Sequence, residues 1–188
     1  MPSLNLPNWI TLLRIVLIPL IVGIFYMPDA WLSFEDRNLA ATSVFIFAAI
    51  TDWLDGYLAR KLNQMSAFGA FLDPVADKLM VTGALIVLLQ LGRVEAVVAL
   101  IIIGREIAIS ALREWMARVG QSKSVAVAFI GKIKTVGQMV AIPLLLFHDD
   151  LLFLNCLWLG TILINIAAVL TVISMLYYVR KAMPLARE

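Results

Sequence analysis

The sequence has few of the residues that build sites in soluble proteins. It contains one cysteine, Cys156, and one histidine, His148. A single cysteine cannot form a disulfide within the chain, and without Cys or His pairs the usual zinc sites are excluded. Charged residues are also scarce, at 15% of the chain against about a quarter in a typical soluble domain. These shortages argue against an ordinary soluble domain.

Apolar residues take the place of the missing charge. They make up 62% of the 188 residues, more than the interior of a soluble domain this small can bury. Lipid is the natural solvent for the remainder. We therefore predict an all-α, polytopic integral membrane protein. It would form a single domain over residues 1–188, with six transmembrane helices and a short N-terminal interfacial segment before about Leu12.

Six apolar blocks support the six predicted helices. They cover roughly residues 8–28, 38–58, 72–92, 94–118, 126–147 and 151–179. Only the last block has an uncharged stretch of full spanning length, because the others each end in charged residues.

The distribution of lysine and arginine predicts an orientation. If the N-terminus is cytoplasmic and the chain crosses six times, thirteen of the fifteen Lys and Arg residues lie on the inside. The two exceptions are Arg37 and Arg93. Basic residues favour the cytoplasmic side, so both termini are expected there. The net charge of +2 is small, and we expect no nucleic-acid partner.

Four aspartates lie at the junction of the second and third blocks. Asp52 and Asp55 are three residues apart and Asp73 and Asp77 are four apart, so each pair shares one face of its helix. A helical hairpin would bring the pairs together, and converging carboxylates need a cation or a proton to offset their repulsion. Oxygen ligands suit Mg²⁺, Mn²⁺ or Ca²⁺. Pro74 is expected in the first turn of the third helix, which would place Asp73 near a helix N-terminus.

The spacing of these acids and of four neighbouring residues resembles the signature of the CDP-alcohol phosphotransferase family. The matching positions are Asp52, Asp55, Gly56, Ala59, Arg60, Gly69, Asp73 and Asp77. The resemblance covers the whole chain and implies a six-helix membrane core, usually a homodimer, with its site facing the cytoplasm. It also implies a metal site, with two Mg²⁺ or Mn²⁺ ions held by Asp52, Asp55, Asp73 and Asp77. Asp77 would be the general base. Gly56, Ala59, Arg60 and Gly69 would shape the CDP pocket.

A second set of residues concerns the acceptor alcohol. Arg105 and Arg113 are eight residues apart, within about 80° on a helix, so both can face one cavity. Lys132 and Lys134 are only two apart, so at most one of them points straight at that cavity unless the helix begins there. Arginine binds phosphate through paired hydrogen bonds. A basic pocket beside the acids therefore favours an anionic acceptor.

These basic segments, together with Asn8, Thr11 and Arg14, resemble the bacterial branch of the family whose acceptor is sn-glycerol 3-phosphate. The implied reaction moves the phosphatidyl group of CDP-diacylglycerol to this acceptor, in the lipid of the bacterial inner membrane, and releases CMP. Asn8 and Thr11 would contact the CDP-lipid. The acceptor phosphate would be bound by Arg14, Arg105, Arg113, Lys132 and Lys134.

Two alternatives stay open at this point. The first is the same family with inositol phosphate or phosphatidylglycerol as the acceptor. The second is a cation transporter, because acids inside a membrane can mark an ion path. The aspartates gather at one end of the helices, and the sequence has no matching acidic set within the helices near the other end. This distribution favours an enzyme.

Overall fold

The computed structural model describes residues 6–61, 67–118, 129–151 and 153–183. Six helices lie within these ranges. They are α1 (Leu6–Ile24), α2 (Phe34–Lys61), α3 (Ala67–Gln90), α4 (Ala96–Arg118), α5 (Phe129–Phe147) and α6 (Cys156–Ala182). Each corresponds to one of the six apolar blocks, and the all-helical prediction is confirmed in outline. The sequence did not indicate the short antiparallel pair of β1 (Asp150–Leu151) and β2 (Leu154–Asn155) that precedes α6.

The lengths of the apolar stretches distinguish α6 from the other helices. Among the described residues, the segment Cys156–Arg180 of α6 is the one helix long and apolar enough to cross a membrane by itself. The apolar segments Asn8–Ile24 and Ile133–Phe147 are shorter. In the remaining helices, charged residues interrupt the apolar run. The prediction of six spans is therefore confirmed only as six helices with one clear span.

Pro74 corrects one sequence prediction. It lies inside α3, which begins at Ala67, and not in the first turn of that helix. Asp73 is consequently well inside the helix, and its predicted place near a helix N-terminus was wrong. Proline lacks an N–H and disfavours helix interiors in water, but neighbouring helices can satisfy the freed carbonyl in lipid. Pro19 in α1 and Pro143 in α5 are also internal.

The helices pack around a continuous apolar core. α1 lies against α2 and α3, α6 lies against α4 and α5, and α2 also contacts α5. One fully buried side chain from each of α2 to α6 marks the core: Phe45, Leu88, Ile102, Leu145 and Ile164. The approach of α5 and α6 is close at Gly160, where an added Cβ would lie 2.8 Å from Leu145 Cγ.

Arg93, between α3 and α4, links the end of α5 to the start of α2 by hydrogen bonds. Its Nη1 donates to the carbonyl oxygens of Leu145 and Leu146 at 3.0 and 2.7 Å, and its Nη2 donates to Asn38 Oδ1 at 2.8 Å. The last carbonyls of a helix lack partners within the helix, so Arg93 satisfies the end of α5. Arg37 is also buried and donates to a backbone carbonyl. The two arginines that depart from the charge asymmetry therefore have structural roles.

Candidate active site

Helix α1 turns a polar face into the bundle at the end opposite Arg93. Asn8, Thr11 and Arg14 follow one another at intervals of three residues, which places them on one side of the helix. All three are buried, and Arg14 is completely so. The other side of α1 exposes apolar residues such as Trp9 and Val16. A buried arginine needs partners, and these lie on α2 and α3.

Two polar contacts join α1 to the aspartates of α3. The Thr11 hydroxyl donates to Asp73 Oδ1 at 2.7 Å, and Arg14 Nη1 donates to Asp77 Oδ1 at 2.8 Å. Arg14 Nη1 also lies 2.5 Å from Oδ1 of Asp52 on α2. One guanidinium thus links the acids of two helices, and α1 determines where those helices present them.

The structure brings Asp52 and Asp77 together. Their Oδ1 atoms contact the same nitrogen of Arg14, so they can be no further apart than the sum of the two contact distances. The positive charge of Arg14 offsets the repulsion between the two carboxylates. The sequence had assigned Arg14 to the acceptor phosphate, but the structure places it among the aspartates.

Other predicted site residues are described less fully. The side-chain surroundings of five of them lie outside the described part of the structure: Asp55, Gly56, Ala59, Arg60 and Lys132. Gly69 is described and is buried in α3, four residues before Asp73. It therefore lies one turn from Asp73 on the same side of the helix.

A cavity of about 300 Å³ opens beside the paired aspartates. Asp52, Asp77 and Lys78 line it from α2 and α3, and Glu106 and Arg113 line it from α4. Carboxylates and cations therefore face one space, and of the predicted site residues it is Asp52, Asp77 and Arg113 that line it among the described residues. Lys78 was not among the predicted site residues, although it directly follows Asp77 in the chain.

The cation cluster of α4 and α5 is built around Glu106. Arg105 Nη1 donates to Glu106 Oε1 at 3.1 Å, and Lys134 forms an ion pair with the same oxygen. Lys134 is 2% exposed, so its charge is held inside the bundle by Glu106. Glu106 was not identified as a site residue from the sequence. Burial makes it the counter-ion that a lysine in this position requires.

Tyr178 of α6 brings the two arginines of α4 together. The guanidinium carbons of Arg105 and Arg113 lie 6.0 and 5.6 Å from the centre of its ring. These distances are within the range of cation–π attraction. Arg105 also donates to Ser174 Oγ at 3.4 Å. Arg113 lines the cavity beside the aspartates, whereas Arg105 lines a different cavity, so the two arginines share the Tyr178 ring and not one cavity. No sequence signal marked Tyr178.

The donor atoms at the aspartates suit a hard cation. Within the described residues the carboxylates of Asp52, Asp73 and Asp77 supply oxygen, and no thiolate or imidazole lies with them. Oxygen ligands fit Mg²⁺ or Mn²⁺. In the described ranges no three acidic, His or Cys side chains already form a compact ligand group. Asp55, the fourth predicted ligand, lies outside that description.

Comparison with known proteins agrees with this geometry. Residues 4–173 match the family model described as CDP-alcohol phosphatidyltransferase. A CDP-diacylglycerol–glycerol-3-phosphate 3-phosphatidyltransferase from Yersinia enterocolitica is 47% identical over 182 residues, which cover 96% of each chain. The protein of the same name from Escherichia coli K12 is 47% identical over 183 residues, covering 95% of this chain and 94% of the relative. The one from Sodalis glossinidius is 46% identical over 96% of both chains.

Proposed function

Because this chain belongs to the CDP-alcohol phosphatidyltransferase family, we propose that it transfers the phosphatidyl group of CDP-diacylglycerol to sn-glycerol 3-phosphate, giving phosphatidylglycerophosphate and CMP. The observation that carries the proposal is the cavity in which the Asp52 and Asp77 carboxylates face the same space as Arg113. The two carboxylates can accept a proton or hold a cation during the transfer step, and the charge of Arg113 can attract an anionic acceptor. The names of the relatives, which match over nearly their full length, support the same substrates.

Asp77 is the proposed general base. It lines the cavity and its side chain is 50% exposed, so a substrate hydroxyl can reach it. The terminal hydroxyl of the acceptor gives its proton to an Asp77 oxygen while its own oxygen bonds to the phosphorus that carries diacylglycerol. The bond between that phosphorus and the CMP oxygen breaks, and CMP leaves with the electron pair. Arg14 holds Asp77 in position from behind.

Members of the family generally use divalent cations. We propose that Asp52, Asp55, Asp73 and Asp77 hold two such ions, Mg²⁺ or Mn²⁺. When bound, they would neutralise the charge that develops on the transferred phosphate and on CMP. The residues of the chain orient this site, since Thr11 fixes Asp73 by its hydrogen bond.

We assign the acceptor phosphate to the basic residues of α4 and α5, namely Arg105, Arg113, Lys132 and Lys134. Arg113 lines the cavity and makes the direct contact, while Arg105 and Lys134 add positive potential from behind. Lys132 keeps its sequence assignment to this group. Arg14 is reassigned to positioning the aspartates. The CDP-lipid keeps its sequence assignment, which is to Asn8, Thr11, Gly56, Ala59, Arg60 and Gly69.

The membrane arrangement is part of the same proposal. Large apolar side chains are exposed along the bundle, with Val16, Leu100 and Val169 at 65%, 71% and 59%. Such a surface favours lipid over water. We propose that residues 1–188 form one domain that crosses the bacterial inner membrane six times and forms a homodimer. Its cavity and both termini would face the cytoplasm, and the acyl chains of the substrate would stay in the bilayer.

The test is CMP release by the purified protein in detergent with CDP-diacylglycerol. Glycerol 3-phosphate, inositol phosphate, serine and phosphatidylglycerol are supplied separately as acceptors. We expect CMP with glycerol 3-phosphate, loss of it after chelation, and recovery with Mg²⁺ or Mn²⁺. Activity with inositol phosphate alone would overturn the acceptor assignment. Cation flux in proteoliposomes without CMP release would favour the transporter alternative.

A further inference from the structure

Gln138 of α5 lines the cavity, and the amide nitrogen of its side chain is an unused hydrogen-bond donor among the described residues. The residue is 3% exposed, and its Nε2 has no hydrogen-bond partner among the residues that the structure describes. Buried polar groups are almost always hydrogen-bonded, because a buried group without a partner loses its hydrogen bonds to water and gains none within the protein. Because Gln138 lines the cavity, rotation of its carboxamide would present this unused donor to a ligand that enters.

The neighbours of Gln138 indicate what kind of ligand group it contacts. Lys134 lies one turn earlier on α5 and is paired with Glu106. Apolar residues also line the cavity, among them Met80 and Val81 of α3, and Met139 beside Gln138. Thr135, one turn before Gln138 on α5, also lines the cavity, and it is polar but uncharged. Gln138 therefore has no charged residue beside it on α5 among the described residues of the cavity wall. An anionic phosphate would be placed better at Arg113, and an uncharged group of the acceptor suits Gln138.

We propose that Gln138 binds the central hydroxyl of glycerol 3-phosphate, the hydroxyl that does not react, and thereby selects this acceptor. The assignment rests on the proposed function. A hydroxyl donates one hydrogen bond and accepts others, and a carboxamide likewise offers both a donor and an acceptor. Half a turn of the amide exchanges the two without moving the chain. Gln138 is a specificity residue in this scheme and takes no proton.

The consequence for selectivity follows from the buried amide. A site built to hydrogen-bond a substrate hydroxyl discriminates against the analogue that lacks it, because the group in the site is then left unpaired. The analogue here is 3-hydroxypropyl phosphate, which keeps the phosphate and the terminal hydroxyl and lacks the central one. The wild-type protein should prefer glycerol 3-phosphate over this analogue by roughly tenfold or more in kcat/KM.

The experiment compares both acceptors in the wild-type protein, in Gln138→Met and in the matched control Met139→Leu, with CMP release as the readout. Methionine keeps much of the volume of glutamine without its hydrogen bonds. Gln138→Met should lower kcat/KM for glycerol 3-phosphate roughly tenfold and change it little for the analogue, so the preference disappears. Met139→Leu, a volume-conserving change on the same wall, should affect both acceptors alike and keep the preference.

Each outcome decides the matter. Equal losses for both acceptors in Gln138→Met would make Gln138 a structural residue and overturn the proposal. If that variant does not fold, the wild-type comparison remains: equal use of the two acceptors would also overturn it. Both of these results leave the proposed function intact, because the wild-type protein still releases CMP with glycerol 3-phosphate. Failure of the wild-type protein with both acceptors would instead refute the proposed function, and the role of Gln138 with it.

Discussion

Replacement of Arg14 by methionine tests the central contact of the site. The guanidinium is fully buried and bridges Asp52 and Asp77, so Arg14→Met leaves two carboxylates facing each other without it. Removing one partner of a buried ion pair costs about 3–5 kcal/mol. The two aspartate side chains are 32% and 50% exposed, however, and water will solvate part of their charge. We therefore expect a loss of about 2–3 kcal/mol in the free energy of unfolding.

The assay is thermal unfolding in detergent, followed by circular dichroism. For a chain of this length, 1 kcal/mol shifts Tm by about 2–4 °C, so Arg14→Met should lower Tm by about 4–12 °C. The matched control is Arg118→Met. Arg118 pairs with Glu114 at the surface, where both side chains are mostly exposed. Such an i, i+4 pair contributes about 0.3–0.5 kcal/mol, or roughly 1 °C.

Divalent cations give a second measurement on the same variant. Mg²⁺ at millimolar concentration should raise Tm more in Arg14→Met than in the wild-type protein, because the ion takes over part of the neutralisation of Asp52 and Asp77. A Tm for Arg14→Met no lower than that of the surface control would refute the reasoning. It would show that the buried bridge contributes nothing to stability.

Three further substitutions, the last with a matched control, test other parts of the structure. Asp77→Asn should lower kcat for CMP release by about 10²–10⁴ while CDP-lipid binding stays largely intact; lost binding with residual turnover would contradict its role as base. Arg113→Ala should mainly raise KM for the acceptor, and an effect confined to the CDP-lipid would move Arg113 to the other substrate. Gly160→Ala should destabilise the protein by about 1–3 kcal/mol, because its Cβ would meet Leu145 of α5. Gly104→Ala, with open space around its Cβ, should not destabilise it in the same unfolding assay.

The helices were predictable because each apolar block has its own boundaries in the chain. Charge and turn residues separate the blocks, and these signals are local. Pro74 was placed wrongly for a related reason, since a proline usually marks the start of a helix in water, and packing inside a helical bundle overrides that preference. The pair of β1 and β2 is too short to produce an alternating pattern.

The site was predictable where the spacing of residues fixes a shared face. Asp73 and Asp77 are an example, because four residues make about one turn of helix. The partners of buried side chains were not predictable in this way. Arg14 could have faced a phosphate or an aspartate, and only the packing of α1 against α2 and α3 decides between them. Gln138 gave no sequence signal, because glutamine on a helix is more often an ordinary polar residue.

The pairing of Thr11 with Asp73 and of Arg14 with Asp77 has a mechanical consequence. Two helices with purely apolar surfaces can shift along each other at little cost in free energy, because each apolar side chain finds a similar apolar neighbour after the shift. The two polar contacts prevent such a shift, because both can form at the same time in only one alignment of α1 against α3. A shift of one residue would break both together. Forming the reactive centre and setting the axial alignment of these two helices are consequently one event.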